Sequence, residues 1–458
     1  MKDTITAIAT PPGEGGIGII RISGAKALAI AQELFHPASG KPINDPVPLK
    51  FLFGEIRDPK TKQCVDQVLL TFFKGPKSFT AEDIIEINAH GGSWITEKIL
   101  RLILDRGARL AEPGEFTQRA FTNGRLDLIQ AEAVADVIDS SSDKALNSAL
   151  SQLKGGLSKR LNALHKNLLN TQAQLEASID FSEEGLTFQS REDTKKQIQK
   201  VENHLRELVH SFRQGRIYRE GMRVTLVGKP NVGKSSLLNS LLQEDRAIVT
   251  SIAGTTRDTL EERVRIKDIY IVITDSAGLR GNPEAIEEEG IKRARTALEK
   301  SDLALVLFDP SQPLDENDHL MIKEVSQKSR LVILNKSDLP SAWQPDALKS
   351  FLLKDPPLKL STKTLEGLGP LKEAIHQKAL AGKRKEESLV ITRERHRDHL
   401  QKAAEALNKA GQSFQDGYSE ELIAVDVSLA MEHLGAILGK TFEEDLLDRI
   451  FGQFCIGK

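Results

Sequence analysis

The eight residues Gly228-Lys229-Pro230-Asn231-Val232-Gly233-Lys234-Ser235 constrain this chain more than any other feature. They fit the pattern G-x-x-x-x-G-K-[ST], and they stand where that pattern has physical meaning. Residues 223–227 before them read as a strand, and residues 236–242 after them read as a helix. Glycines let the backbone wrap around phosphate oxygens, while the helix N-terminus adds free N–H groups and the positive end of its dipole. Lys234 is placed to neutralise the β- and γ-phosphates and Ser235 to hold Mg²⁺, with Val232, Gly233 and Ser236 completing the cradle.

Three further elements come later in the chain. Gly254-Thr255-Thr256-Arg257-Asp258 supplies a hydroxyl, that of Thr256, able to close on Mg²⁺ when a γ-phosphate is present. Asp275-Ser276-Ala277-Gly278 ends the run IYIVIT with a D-x-x-G turn, where Asp275 can act through Mg²⁺ and the Gly278 N–H can sense the γ-phosphate. Asn335-Lys336-Ser337-Asp338 ends the run LVIL. A carboxylate at 338 accepts from both N1–H and the N2 amino group of guanine, whereas adenine offers no such donor pair at that edge. Ser361-Thr362-Lys363 falls where a loop backing the guanine is expected. Together these elements point to GTP or GDP as the ligand.

The rest of the chain places this site in a larger body. At 458 residues it is long enough for two to four domains. Its formal net charge of −2 announces no polyanion-binding surface, so any nucleic-acid contact has to come from a local patch or a partner. Only Cys64 and Cys455 occur, too few for a disulfide framework, which suits a reducing cytoplasm. No run of about 18 apolar residues predicts a transmembrane helix. The N-terminal stretch meets Pro and Gly too soon for the apolar part of a signal peptide.

Residues 1–120 mix short apolar runs with Gly/Pro punctuation, an α+β pattern. Strands are predicted at 17–22, 68–73 and 84–87, and a helix at 94–105. The texture then changes. No proline occurs between Leu126 and Tyr218, and Leu146, Leu150, Leu153, Leu157, Leu161, Leu164 and Leu168 step by four or three, a helical seam. Ile198, Val201, Leu205, Leu208 and Phe212 repeat the pattern. From 222 to about 381, the runs VTLV, IYIVITD, LALVLFD and LVILN alternate with helical segments, which predicts a mostly parallel sheet covered by helices. After Lys383 the helical texture returns. The economical interpretation is a multidomain chain: an α+β N-terminal domain, then a discontinuous all-α domain into which an α/β P-loop domain is inserted.

Position 279 departs from the small signalling GTPases. Leu279 stands where those proteins carry the glutamine that orients the attacking water. Another residue has to place the water and another cation has to relieve charge. Glu287, in the acidic stretch 284–289, is the candidate, although the same residue also reads as a solvated charge at a helix start. Cys455 carries two readings as well: a small buried apolar side chain after Phe454, or a thiol whose reactivity depends on a lowered pKa.

These residues, together with the N-terminal ATPPGEGGIGIIRISG, the stretch PGEFTQRAFTNGRLDLIQAEAVADVID and the terminal Cys455-Ile456-Gly457-Lys458, make the whole chain resemble the MnmE (TrmE) family of tRNA-modification GTPases. The resemblance implies an N-terminal domain over 1–120 that binds a tetrahydrofolate derivative (5,10-methylene- or 5-formyl-tetrahydrofolate) and makes a homodimer. It implies a helical domain over 121–220 and 382–458, and a K⁺-sensitive G domain over 221–381 activated by dimerisation. It also implies a heterotetramer with the FAD-dependent partner MnmG, in which an aminomethyl or carboxymethylaminomethyl group is added to C5 of the tRNA wobble uridine. By the same resemblance Asn231 contacts K⁺, and the loop Thr250-Ser251-Ile252-Ala253-Gly254-Thr255 completes that site through Thr250, Ile252 and Thr255. Glu287 takes the water-activating position, and Arg21, Glu86, Arg125 and Lys458 take folate-ligand positions. Cys455 takes a part in the modification chemistry. Asp275-Ser276 stands for the commoner Asp-Thr, and Arg125 fills a slot often held by Lys.

The alternative is a GTP-gated switch in ribosome assembly without covalent RNA chemistry, but no basic or KH-like module accompanies the P-loop domain. The missing glutamine yields a direct expectation. Glu287→Ala should lower GTP turnover far more than GTP affinity, measured by steady-state hydrolysis beside equilibrium binding; an equal loss of both removes Glu287 from the water site.

Overall fold

A computed structural model describes residues 3–180, 190–245, 261–274, 295–344, 348, 351, 356–380, 389–441 and 444–458. The chain divides into two units. One comprises Met1–Ile138, Leu150–Leu205 and His399–Lys458; the other comprises Asp139–Ala149 and Arg206–Asp398.

The first unit is built on a seven-stranded sheet. Its strands are β1 (Ile5–Ile8), β2 (Ile17–Ser23), β3 (Phe35–Pro37), β4 (Phe51–Arg57), β5 (Cys64–Phe73), β6 (Ile84–His90) and β7 (Arg109–Leu110). They lie in the order β3-β4-β5-β6-β2-β1-β7, antiparallel except for the β1–β7 pair. Period-two alternation sends Ile20, Ile22, Ile85 and Ile87 into a core with Ile30 and Leu34 of the helix Ala27–Leu34 and Ile99 and Ile103 of the helix Ser93–Leu104. Arg21 and Glu86, directly opposite one another on β2 and β6, are thereby turned to the other face. The expected strands and helix over 17–105 are present, with ends shifted by up to four residues.

The helices Gly156–Asp180 and Glu420–Leu438 pack against each other in the same unit. Leu157, Leu161, Leu164 and Leu168 are buried on the first, and Ile423, Val427, Ala430 and Leu434 on the second. The leucine seam is shorter than the sequence pattern suggests. Gly155 adopts φ 80°, the left-handed conformation that ends a helix, so the seam breaks between Asp143–Leu153 and Gly156–Asp180. Leu146, counted in the pattern, is 36% exposed. The freed carbonyl of Leu153 accepts from the Gln130 side chain at 3.0 Å.

The second unit holds a six-stranded sheet: β8 (Met222–Val227), β9 (Glu261–Ile266), β10 (Ile269–Thr274), β11 (Leu303–Phe308), β12 (Arg330–Leu334) and β13 (Leu358–Lys359). Their order is β13-β12-β11-β8-β10-β9, parallel except for the β9–β10 hairpin. All six residues of β11 and all five of β12 are buried, as near-continuous apolar runs in a sheet covered on both faces require. Edge strand β9 has the sequence EERVRI, in which Val264 and Ile266 are buried at alternate positions, so it shows no apolar run to read. Chain order reverses at β8, between β10 and β11. The crevice beyond the carboxyl ends of the strands at such a switch point is where open α/β sheets take ligands.

A charge network ties the N-terminal strand region to the helix Glu115–Thr122. Glu115, 7% exposed, accepts from Arg109 at 2.7 Å and from Arg119 at 2.9 Å. Arg119 also reaches Asp3 at 2.7 Å and Glu82 at 3.1 Å. Burial by itself raises the Glu115 pKa, but hydrogen bonds from Arg109, the Glu112 N–H and Arg119, with the charge of Arg109, outweigh it and hold the carboxyl below its ordinary 4.5. A depressed folded-state pKa stabilises the fold above the unfolded value and is lost as pH falls through the folded one. The Glu115 contribution to the thermal midpoint, read as wild type minus Glu115→Gln, should therefore hold steady from pH 7 down to about 4.5 and fall away below it. Glu115→Gln should lower that midpoint at pH 7 and flatten the acid limb; an unchanged limb assigns the acid sensitivity elsewhere.

Candidate functional site

The phosphate loop leaves β8 at Val227 and turns on two glycines that have no room for a side chain. A Cβ on Gly228 would lie 2.8 Å from Val232 Cγ1 and 2.9 Å from the Leu307 carbonyl. A Cβ on Gly233, at φ 103°, would lie 2.1 Å from the Asn335 side-chain nitrogen. Between them Asn231 takes φ 61°, unusual for a residue with a side chain. The helix Lys234–Asp245 begins at once, placing Lys234, Ser235 and Ser236 in its first turn. Lys234 Nζ donates to the carbonyls of Gly228 at 2.5 Å and Lys229 at 2.8 Å.

Asn335 joins this loop to the base loops. It is fully buried; its Nδ2 donates to the Val232 carbonyl at 2.7 Å, and its Oδ1 accepts from the Thr362 N–H at 3.3 Å. Asp338 Oδ1 accepts from the buried Ser361 hydroxyl at 2.7 Å, and Ser361 in turn accepts from the Thr364 N–H at 3.2 Å. The Ser361 hydrogen bond, with a backbone N–H and the charges of Lys363 and Lys336, holds the Asp338 carboxyl below the ordinary aspartate value. It is anionic at neutral pH, the acceptor state a guanine edge needs. Lys336, at φ 59°, extends its ammonium to Asp309 at 2.6 Å. Asp309 is a site residue that no motif singles out; it closes the run LALVLFD, at the carboxyl end of β11, where its position is the available signal.

Asn231, Val232, Gly233, Lys234, Ser235, Ser236, Asn335, Lys336, Asp338, Ser361, Thr362 and Lys363 are thus gathered around the carboxyl ends of β8 and β12. Thr250, Ser251, Ile252, Ala253, Gly254, Thr255, Thr256, Asp275, Ser276, Ala277, Gly278 and Glu287 lie outside the described residues.

A second constellation forms on the face of the first unit's sheet opposite the helices Ala27–Leu34 and Ser93–Leu104. Arg21 pairs with Glu86, both its Nε (2.9 Å) and Nη2 (2.7 Å) reaching Oε1. Its Nη1 donates to the Gly457 carbonyl at 3.3 Å. The Arg21 guanidinium stands 5.8 Å from the Phe79 ring centre and 5.6 Å from that of Phe116, and Arg125 stands 5.9 Å from Phe79. The tail is pinned from several sides. Phe116 N–H donates to the Lys458 carbonyl at 3.2 Å, Phe451 and Phe454 are buried with ring centres 5.7 Å apart, and Gly457 at φ 94° fits against the Ile8 carbonyl. Cys455 is exposed, which excludes the buried reading of its side chain. Arg21 and Arg125 therefore meet at Phe79, a residue that no sequence pattern singled out, with Glu86 held on Arg21 and the Lys458 backbone held at Phe116.

The family model for the MnmE helical domain matches residues 128–455, and the one for the GTP-binding protein TrmE N-terminus matches residues 4–125. The chain belongs to the MnmE family. It is 42% identical over 458 residues to the tRNA modification GTPase MnmE of Natranaerobius thermophilus, covering 100% of both chains. Over 459 residues it is 43% identical to that of Clostridioides difficile, again covering 100% of both. Among solved structures, the G domain of the T. maritima FeoB iron transporter is similar over 34% of this chain and 98% of that one, at 27% identity; its TM-score of 0.27 carries no argument.

For this MnmE-family GTPase, the Asp338 carboxylate is the candidate base selector. An asparagine there keeps one acceptor and presents an amide donor, which suits the C2 carbonyl of xanthine rather than the guanine amino group. Asp338→Asn should weaken GTP binding about 10- to 150-fold, the equivalent of one charge-assisted hydrogen bond of about 1.5–3 kcal/mol, and improve binding of the xanthine nucleotide. Competition against a fluorescent guanine nucleotide measures both; unchanged GTP affinity removes Asp338 from the base site.

Proposed function

We propose that GTP hydrolysis at the phosphate loop serves a folate-dependent modification of tRNA, adding an aminomethyl or carboxymethylaminomethyl group to C5 of the wobble uridine. The chain works as a cytoplasmic homodimer through its N-terminal domains, in a heterotetramer with the FAD-dependent partner MnmG. The domain reading is 1–120 for folate and dimerisation, 121–220 with 382–458 for the helical body, and 221–381 for the G domain. Among the described residues no helix is long and apolar enough to cross a membrane.

The observation that carries this reading is Arg21, which stands against Phe79 beside Arg125 and binds both Glu86 and the C-terminal tail at Gly457. A flat pterin ring suits an aromatic face, and its amide and amino edge needs an acceptor. Glu86 offers one: its Oε1 takes both Arg21 donations, leaving Oε2 with neither. The guanidinium of Arg125 and the ammonium of Lys458 suit the carboxylates of a glutamate tail. A tetrahydrofolate derivative held there supplies a one-carbon unit. Arg21 orients Glu86 and anchors the tail through Gly457, and the tail presents Cys455 to solvent.

At the nucleotide, Lys234 and the helix N-terminus bind phosphates, and Ser235 with Thr256 holds Mg²⁺. Asn231, Thr250, Ile252 and Thr255 hold K⁺, whose charge does what an arginine finger does elsewhere. Dimerisation of G domains completes that arrangement, and Glu287 places the attacking water in the absence of a glutamine at 279.

Cys455→Ser and Arg21→Ala separate the two halves of this reading. Each should abolish the modified wobble uridine in nucleoside analysis of cellular tRNA while GTP hydrolysis by the purified variant stays near wild type. Tetrahydrofolate binding should fall in Arg21→Ala. Wild-type modification in both variants sinks the folate-site reading and returns the tail to a structural role.

A further inference from the structure

Asp309 binds Lys336 from a strand end that belongs to none of the nucleotide motifs. It follows β11 directly, and the Phe308 carbonyl beside it accepts from the Asn335 N–H at 2.9 Å. The Asp309 side chain is 8% exposed, and its two oxygens serve different partners. Oδ1 accepts from the Ser311 N–H at 3.0 Å and from the Ser311 hydroxyl at 2.5 Å, while Oδ2 accepts from Lys336 Nζ at 2.6 Å. Lys336 is fixed at its other end as well. Its backbone sits at φ 59°; the Ser337 N–H donates to the Leu360 carbonyl at 3.0 Å, and the Leu339 N–H to the Lys336 carbonyl at 2.9 Å.

Asp338 follows Lys336 by two residues and is exposed. Among the described residues, Ser361 is the one side chain that donates to it, at Oδ1 and 2.7 Å. Lys336 acts on Asp338 by charge alone. After the Ser361 hydrogen bond, the Asp338 N–H and Lys363, its ammonium helps hold that carboxyl below the ordinary aspartate value. A lysine is a flexible point charge with rotatable donors, so neighbouring carboxylates compete for it. Asp309 is the stronger competitor, because it is shielded from water and already oriented by Ser311. A lysine paired with Asp338 instead would occupy the oxygens that a guanine edge needs as acceptors.

We propose that Asp309 is a positioning residue for base selection: by holding the Lys336 ammonium, it keeps the Asp338 carboxylate open to the N1–H and 2-amino group of guanine. This rests on the reading of Asp338 as the base selector. Asp309 acts through Lys336 and needs no contact with the nucleotide. Neutralising it frees a competing cation, so the loss is felt in the choice of base and vanishes once that cation is removed too.

The test is equilibrium binding of GDP and of inosine diphosphate, which lacks the 2-amino group, to the full chain. Both are measured by competition with a fluorescent guanine nucleotide, beside the thermal midpoint. Asp309→Asn keeps an acceptor for Ser311 but loses the charge that holds Lys336. It should weaken GDP binding about three- to fivefold, the strength of an exposed ion pair, and narrow the preference for GDP over inosine diphosphate. Added choline chloride should recover part of that loss, since salt screens an exposed pair. Asp309→Glu, which keeps a carboxylate, should stay closer to wild type. In a Lys336→Met background, Asp309→Asn should change neither the affinity nor the preference. Ser311→Ala removes one of the donors that orient Asp309 and should shift both in the same direction by less. If Asp309→Asn does not fold, an unaltered preference in Ser311→Ala overturns the proposal. An equal loss from Asp309→Asn with and without the Lys336 ammonium overturns it too, and marks a general structural role. So does an unchanged preference in Asp309→Asn where Asp338→Asn lowers GDP affinity. Unchanged GDP affinity in Asp338→Asn sinks the base-selector reading itself, and the inference with it.

Discussion

A single buried amide holds the nucleotide site in register. Asn335 donates to the Val232 carbonyl and accepts from the Thr362 N–H, so the phosphate loop after β8 and the base loop before the helix Leu368–Ala379 share one side chain. The bond exists only because Gly233 lacks a Cβ, which would overlap the amide nitrogen. Both partners are away from water, and an orphaned buried carbonyl costs about 1–3 kcal/mol. The carboxyl end of β12 is therefore tied to that of β8 with β11 lying between them. Asp338 and Lys336, only residues away, inherit their placement from the same anchor, while Ser361 and Asp309 settle their charges.

The second constellation arises from a different constraint, the pleat of an antiparallel sheet. Side chains on β2 and β6 alternate strictly, so burying Ile20, Ile22, Ile85 and Ile87 under the helices leaves Arg21 and Glu86 together on the far face. A guanidinium and a carboxylate directly opposite one another satisfy each other's charge. They also leave a further Arg21 donor, which engages the tail at Gly457. The C-terminal residues arrive there through the packing of Phe451 and Phe454 and the left-handed Gly457, not through any property of strands.

Much of this is legible in the sequence where a local pattern carries the physics. The strand–loop–helix around Gly228 and the buried runs of β8, β10, β11 and β12 emerge from short-range rules of turn geometry and burial. The helical core at Ile198, Val201, Leu205, Leu208 and Phe212 does too, and all five are buried. Edge strand β9 gives no such signal because an exposed edge carries charges instead of an apolar run. The leucine seam reads as continuous because spacing records periodicity but not the sign of φ at Gly155. Family resemblance supplies Arg21, Glu86, Arg125 and Lys458 as separate positions, and Phe79 has no local signature at all.

The sequence by itself determined what each loop carries: glycines where the backbone turns after β8, a carboxylate at 338, and leucine at 279 where small signalling GTPases have glutamine. Residues close in the chain set these features. Which groups meet was decided by the tertiary structure alone. Arg21 lies 436 residues from Gly457, and Lys229 lies 86 and 89 residues from the Asp315 and Asp318 carboxylates that accept from it. No periodicity spans such separations; only the packing of sheets and helices brings those atoms within hydrogen-bonding distance.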